Sequence, residues 1–591
     1  APYMLFLKDT DGDGRADVRE ELISGWGTFD THAGPSNLQY GFDNQIWGSV
    51  GYSGFRGTVG GERLEFGQGF FRFPHDGSRL EYLATTSNNT WGLGFNEEGE
   101  VFGSTANGNP AVHMAIPRRY YQKVEGWNAS TLGPIADSDA IYPIAENVRQ
   151  VDHHGRYTAG SGFQLYTARA FPRSYWNRVA FVGEPTGHLL GKFLIEEEGS
   201  SYRAKNTWSM LASRDEWASP IQAKVGPDGM LWVIDWYNIV IQHNPTPDGF
   251  ESGAGNAYET PLRDRQHARI YRIVPAGKDA AYEPMQLGDA SPDRLVQELR
   301  NDNMFWRLTA QRLLVERGEQ DVLPDLYALV RDESLDEIGN NPGALHALWT
   351  LHGLGALDGS NDEALAVALD ALHHPASGVR RAALMVLPRT RQVQEAILNA
   401  GILPERETPG DMDYVVWSGT LQEADPHVRL AALLALSETP PSERAGKAIA
   451  EALTVEANVE DPGLHDALIV AGAQHDVGFL RAALAHNLPE RADSTYRAKV
   501  SEVVRTVSAH YAAQAPSESV SGMLGLLKGS EPFLANAFLS GVLEGWPEET
   551  APALKQQDRT SLAGLEAALA EEERAQLHEL AERWGMANLF R

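Results

Sequence analysis

The sequence predicts an all-β propeller at its N-terminal end followed by an all-α solenoid of HEAT-like helix pairs, and three observations predict it. Composition changes near Pro275, from a stretch rich in Gly, Trp, Tyr, Phe and Asn to one dominated by Ala and Leu at helical spacing. Upstream of that point a turn phrase recurs, as GFDNQIWGSV (Gly41 to Val50), GFNEEGEVFGS (Gly94 to Ser104) and VGPDGMLWVID (Val225 to Asp235). Downstream a helical phrase recurs. At 591 residues the chain exceeds a single core. The expected division is a propeller over 1–277, helical repeats over 278–490 and a helical cap over 491–591.

The first element is the acidic turn KDTDGDGRADVREE (Lys8 to Glu21), preceded by the apolar run Tyr3 to Leu7, which reads as a strand. With Asp9 as position 1, carboxylates fall at positions 1, 3, 5, 9 and 12 as Asp9, Asp11, Asp13, Asp17 and Glu20, with Gly14 at position 6. That is the register of a twelve-residue calcium loop, in which alternate side chains converge on the ion and position 7, here Arg15, offers its carbonyl. The expectation is a calcium loop set in β structure with a structural role; a solvated acidic turn is the competing reading. The first residues resemble the middle of a strand, so the expectation is that further sequence precedes them.

Each copy of the turn phrase is an apolar approach, an Asp- or Asn-bearing turn and an alternating apolar exit, the pattern of a β-hairpin. RVAFVGEPTGHLLGKFLI (Arg178 to Ile195) and HARIYRIVP (His267 to Pro275) read as further strand pairs. Short strands fit a propeller or a pair of sandwiches, and the repeated turn phrase favours the propeller. The helical phrase appears as Arg307/Ala310/Leu313/Leu314, Ala344/Ala347/Thr350/Leu351, Arg380/Ala383/Val386/Leu387 and Arg429/Ala432/Ala435/Leu436, with a weaker copy at Leu464/Ala467/Val470/Ala471. Steps of 37, 36, 49 and 35 residues fit stacked helix pairs with an insertion around Arg391 to Asp413.

A formal charge of −30 argues against nucleic acid or an anionic membrane surface as partner. No apolar run reaches membrane-spanning length. The absence of cysteine excludes disulfides, thiolate catalysis and a covalently attached c-type haem within these residues. A weak calcium loop fills best at periplasmic or extracellular calcium levels, which places the expected compartment outside the cytoplasm.

Polar residues in glycine-rich loops are the candidates for chemistry. DTHAGPSNLQYGFDNQIWG (Asp30 to Gly48) sets His32 ahead of a strand, where a histidine can serve as general base; hydrogen bonding to the backbone is the alternative. VDHHGRYTAGSGFQLY (Val151 to Tyr166) offers His153, His154 and Arg156, the last suited to bidentate carboxylate binding. STANGNPAVHMAIPRRYY (Ser104 to Tyr121) carries His113 and the pair Arg118 and Arg119, an anion clamp or surface charge. DWYNIVIQHNPTPDGF (Asp235 to Phe250) adds Tyr237, Asn238 and His243 beside aromatic surface.

The His32 segment resembles the one bearing the base histidine in soluble quinoprotein sugar dehydrogenases, with one extra residue between His32 and Leu38. The calcium loop, THAGPSNLQYG, DHHGRYTAGSGF, FVGEPTGHLL and DWYNIVIQHNP, followed by MFWRLTAQRLL, together resemble a planctomycete and verrucomicrobial family labelled membrane-bound dehydrogenases or haem-binding proteins. That resemblance implies a propeller related to glucose and sorbosone dehydrogenases, a pyrroloquinoline quinone (PQQ) cofactor held by Arg156, His153, His154, Arg118, Arg119, Tyr237 or Asn238, and a HEAT-like middle. It also implies a c-type cytochrome module, yet no Cys-x-x-Cys-His occurs, so electrons are expected to pass to a cytochrome partner. Two functions follow as expectations: a quinoprotein-type dehydrogenase oxidising a sugar or alcohol with His32 as base, or a non-catalytic scaffold binding glycan or protein.

Overall fold

The computed structural model describes residues 2–277, 285–400, 421, 423–485 and 493–590. It has a β-sheet-rich N-terminal region, whose named strands pair antiparallel, followed by a helix-rich C-terminal region. Its contacts form two compact units, one of residues 1–115 and 130–364, the other of 116–129 and 365–591.

In the first unit β1 (Tyr3–Lys8) and β2 (Val18–Ser24) form a hairpin around the acidic turn. A four-stranded sheet follows, from β3 (Pro35–Tyr40), β4 (Ile46–Val50), β7 (Gly69–Phe73) and β8 (Glu81–Thr85), with the hairpin of β5 (Phe55–Val59) and β6 (Glu62–Phe66) inserted. The next sheet comprises β9 (Thr90–Phe95), β10 (Val101–Thr105) and β11 (Val112–Met114). A five-stranded sheet joins β12 (Ser161–Leu165), β13 (Val179–Glu184), β14 (Leu189–Glu198), β15 (Ser201–Asn206) and β16 (Leu211–Ala212). The last comprises β17 (Pro220–Val225), β18 (Leu231–Asp235) and β19 (Arg269–Ile273). The segment His267 to Pro275 thus supplies one strand, paired to β18, where the sequence suggested a pair.

The period-2 alternation explains how these sheets stack. Phe102, Phe163, Ala180 and Val182 fill the space between the second and third large sheets, and Tyr166, Phe181, Ala223, Leu231 and Val233 that between the third and fourth. The leading strands β3, β9, β12 and β17 contact one another in that succession. From β17 the Lys224 ammonium donates to the Gln39 side-chain oxygen on β3 at 3.1 Å, linking the last sheet to the first.

The recurring turn phrase has a structural meaning. Gly41, Asp43 and Trp47 stand at the same spacing as Gly226, Asp228 and Trp232. In both copies the tryptophan indole donates to the aspartate, at 2.8 and 3.0 Å, and an arginine from the next strand, Arg72 or Arg272, pairs with the other carboxylate oxygen at 2.7 or 2.6 Å. A Cβ on either glycine would lie 2.4 Å from that indole, so both positions require glycine.

The helices are α1 (Arg118–Tyr121), α2 (Pro292–Glu298), α3 (Met304–Arg317), α4 (Leu323–Val330), α5 (Pro342–Gly353), α6 (Asp362–Asp370), α7 (Ser377–Val386), α8 (Arg391–Asn399) and α9 (Pro426–Leu436). They continue as α10 (Glu443–Ala452), α11 (Glu456–Glu460), α12 (Pro462–Gln474), α13 (Asp476–Ala485), α14 (Ser494–Ala513), α15 (Val520–Leu526), α16 (Pro532–Gly545), α17 (Gln556–Leu562) and α18 (Glu571–Arg583). The five copies of the helical phrase fall on α3, α5, α7, α9 and α12. Asp425 and Asp461 cap α9 and α12, each followed by proline at the first helical position, which is why these Asp-Pro steps start helices. The expected insertion begins as α8, and 401–413 lies outside the described residues.

Helix α3 anchors on the strand-connecting segments of all four large sheets. Gln311 donates to the Phe42 carbonyl, Arg307 pairs with Glu97 at 2.7 Å, the Met304 amide donates to Thr167, and Asn303 and Trp306 donate to Gly226 and Pro227. In the second unit α7, α9, α12, α14, α16 and α18 pack in succession, as do α8, α10, α13, α15 and α17. Residues 116–129 belong to this unit: Tyr121 donates to Asp466 at 2.8 Å and the Glu125 amide to His510 at 3.0 Å.

Candidate functional site

His32 lies in the loop before β3, and the fold brings His243, from the loop after β18, against it. Their ring centroids are 4.2 Å apart at 70°, and Trp236 stands edge-on to His32 at 5.6 Å. Beneath both lies Asp30, which is buried. Its Oδ1 accepts from the His32 amide at 2.8 Å and lies 3.2 Å from His243 Nε2, while Asn244 donates to its Oδ2 at 3.5 Å. Asp30, His32 and His243 each offer one donor atom to a set whose members are all within 4.8 Å of one another.

The loop is also held through its backbone. The Thr31 amide donates to the Gly255 carbonyl at 2.9 Å, the Trp91 indole to the His32 carbonyl at 2.7 Å, and the Ser53 hydroxyl to the Asp30 carbonyl at 3.1 Å. Gly255 has φ +61°, and a Cβ there would come 2.7 Å from Thr31, so glycine is required for this approach.

Burial, then the neighbouring His243, depress His32 to a pKa of about 4, with Asp30 opposing and Arg263 adding a smaller push down. The imidazole is therefore neutral at pH 7. Among the described residues neither of its ring nitrogens has a hydrogen-bond partner. Burial pulls the Asp30 carboxyl up, but the His243 hydrogen bond, the His32 amide and the two histidine charges outweigh it and hold Asp30 below the usual carboxylate range. Among the described residues His243 Nδ1 is buried without a partner, as is Nη2 of Arg263, whose Nε donates to the Tyr258 carbonyl at 2.9 Å.

The segment bearing the other histidines reaches the same loop. The Val151 amide donates to Gln242 Oε1 at 2.6 Å, and the Gln242 side-chain amide donates to Asp152 at 2.6 Å. His153, at φ +46°, and His154 are exposed. Arg156 is already engaged, its Nε 2.8 Å from Asp139. Tyr237 carries the Arg269 guanidinium 3.6 Å from its ring centroid, and Asn238 is buried, its amide donating to Ser219 and its side-chain oxygen accepting from Val240. Those two shape the turn after β18. His113 is held between Glu100 and Ser201 at 3.0 Å each, inside the sheets. Arg118 and Arg119 fall in the second unit, where Arg119 lies 3.9 Å from Glu438 and 4.4 Å over Tyr120.

In the acidic turn the carboxylates of Asp9, Asp11 and Asp13 converge within 4.8 Å. Asp9 accepts from the Gly12 and Gly14 amides at 2.7 and 2.8 Å, Asp11 from Asp13, and Asp13 from Arg15. Hydrogen bonds from Gly14 and then Gly12 hold the Asp9 carboxyl below its usual range. Asp17 bonds Thr10 instead, and Glu20 lies on β2 opposite Phe6, so neither joins the three. Sequence reasoning missed Asp30 and Arg263. The signal for Asp30 was its place two residues before His32, the spacing at which a carboxylate accepts the following backbone amide; Arg263 carried none.

A family model described as a domain of unknown function (DUF7133) matches residues 1–277. No curated protein matches the chain. Among solved structures, two glucose dehydrogenases each match at 17% identity over 39% of this chain and 69% of theirs, with a TM-score of 0.26. An oxidoreductase described as a glucose dehydrogenase, from Thermus thermophilus, matches at 15% identity over 44% of this chain and 71% of its own, also with a TM-score of 0.26.

Proposed function

We propose that this chain is an oxidoreductase of the quinoprotein-dehydrogenase type that oxidises a sugar or alcohol outside the cytoplasm, with His32 as base. The observation that carries the reading is the free imidazole of His32, fixed against His243 and Asp30 and walled by Trp236. A neutral imidazole with an unbonded nitrogen accepts the hydroxyl proton as the substrate carbon gives up hydride and becomes a carbonyl. Trp236 stands edge-on beside His32, and Asp30 fixes the backbone from which His32 projects. An anionic quinone fits on one point: Arg263 offers a buried guanidinium nitrogen with no partner among the described residues. Arg263 replaces Arg156, which Asp139 occupies, as the group to hold its carboxylate. Bound there, PQQ would supply the hydride acceptor, with electrons passing on to a cytochrome partner.

The architecture in this reading is a propeller followed by HEAT-like pairs. Support comes from the duplicated Gly-Asp-Trp-Arg constellation, the succession of leading strands and the Lys224–Gln39 bond, and from the two rows of packed helices. The acidic turn is read as a calcium loop fed by Asp9, Asp11, Asp13 and the Arg15 carbonyl, which suits a periplasmic or extracellular setting. Among the described residues no helix is long and apolar enough to cross a membrane. The scaffold alternative draws on Trp208 and Phe29, aromatic side chains 83% and 73% exposed.

The test is turnover of a panel of sugars and alcohols by the full chain, loaded with calcium and PQQ, using an artificial electron acceptor. Activity is expected to fall by about 10²–10⁴-fold in His32→Gln with quinone affinity retained. Absence of turnover together with absence of quinone binding retires the dehydrogenase.

A further inference from the structure

We propose that Asp30, His32 and His243 form a binding site for a divalent transition-metal ion of the zinc and cobalt class. The set contains two imidazoles and one carboxylate, one donor atom from each, all within 4.8 Å of one another. Imidazole donors select zinc, cobalt, nickel or copper over calcium and magnesium, which demand oxygen ligands. Three protein ligands leave a coordination position for water or another small ligand.

The site is built before any ion arrives. Asp30 and His243 are 7% and 4% exposed, so two donors are already withdrawn from bulk water. The loop of His32 is pinned by the Thr31–Gly255, Trp91–His32 and Ser53–Asp30 hydrogen bonds, none of which uses a ligand atom. Asn244, 3.5 Å from Asp30 Oδ2, acts as an outer support that orients the carboxylate. His243 Nδ1 is a second, independent sign: a buried nitrogen with no partner among the described residues is costly unless a ligand binds it. The Arg263 guanidinium opposes the ion, Asp30 compensates one unit of charge, and an anion or hydroxide at the open position supplies a further unit.

Metal capture stands on this ligand set alone. Its consequence for turnover rests on the dehydrogenase reading: an ion on His32 occupies the lone pair that would take the substrate proton, so zinc inhibits.

The experiment uses the chelator-treated full chain saturated with calcium, which fills the acidic turn. Cobalt(II) is followed by its visible absorption and zinc(II) by calorimetry. One equivalent is expected to bind with the intense spectrum of a low-coordinate cobalt site. His32→Gln, His243→Ala and Asp30→Asn should each weaken binding by at least about 10-fold, while the exposed His75→Ala leaves it unchanged. Metal-free melting curves confirm that each variant folds, and His32→Gln perturbs packing least because His32 is the least buried residue of the three. No cobalt spectrum and no zinc heat in the parent chain, or undiminished binding in both His32→Gln and His243→Ala, overturns the site. Stoichiometric cobalt binding in a chain that oxidises no sugar or alcohol supports the site and counts only against the dehydrogenase.

Discussion

The two histidine-bearing loops meet different fates because of what each residue finds next to it. His32 is surrounded by a carboxylate, a second imidazole and two indoles, none of which bonds its ring, whereas Arg156 meets Asp139 at once and is neutralised near the surface. In the acidic turn, like charges 4.8 Å or less apart repel unless a cation sits among them. Calcium is therefore expected to raise the melting temperature of the chain, a chelator to lower it, and Asp11→Asn to remove most of that calcium dependence. An identical melting temperature with and without calcium sinks the loop as a calcium site. The same change at Asp17, which faces Thr10, is expected to have the smaller effect.

At the scale of elements, α3 is the organising piece, because one helix joins the connecting segments of four sheets. Its central contact is a buried network in which Glu97 receives both Arg307 and Arg169, and Arg169 also reaches Asp336 at 2.9 Å. Glu97→Ala leaves two guanidinium groups facing one carboxylate and is expected to destabilise the unit by about 3–5 kcal/mol. Denaturant unfolding measures it, and adding Arg307→Met should recover part of the loss. One layer behind lies His346, which donates from Nδ1 to Gln311 at 2.8 Å. Burial, helped by Arg307, drives its pKa well below the ordinary 6.5. The folded chain keeps this ring neutral while the unfolded chain protonates it, so its stability contribution is complete above about pH 6.5 and declines below, by up to about 1.4 kcal/mol per pH unit. His346→Gln should flatten the fall in melting temperature between pH 6.5 and 5; an unchanged slope would mean that other groups govern it.

At the scale of the molecule, compact units and sequence regions do not coincide. The matched family model ends at residue 277, yet the first unit runs to Ala364 and omits residues 116–129, which pack with the later helices. A chain cut after Gly277 exposes Glu97, Phe42 and the turn glycines that α3 covers, so it is expected to melt lower, or to precipitate, relative to a chain cut after Ala364. Equal melting temperatures for the two fragments would show that α3 contributes nothing to the sheets.

What local order governs was already determined by the amino-acid sequence: β structure before Pro275 and helix after it, the hairpin around the acidic turn, the Asp-Pro helix starts and the helical phrase on α3, α5, α7, α9 and α12. These follow from periodicity and turn chemistry acting over a few residues. Tertiary structure alone decided that Asp30, His32 and His243 converge, that Arg156 meets a carboxylate while Arg263 meets the Tyr258 carbonyl, and that the Gly-Asp-Trp turns carry α3. Such outcomes depend chiefly on contacts beyond the reach of local pattern, from 17 positions for Arg156 and Asp139 to 269 for Gln311 and Phe42, where nothing nearby records which charge or ring will stand opposite.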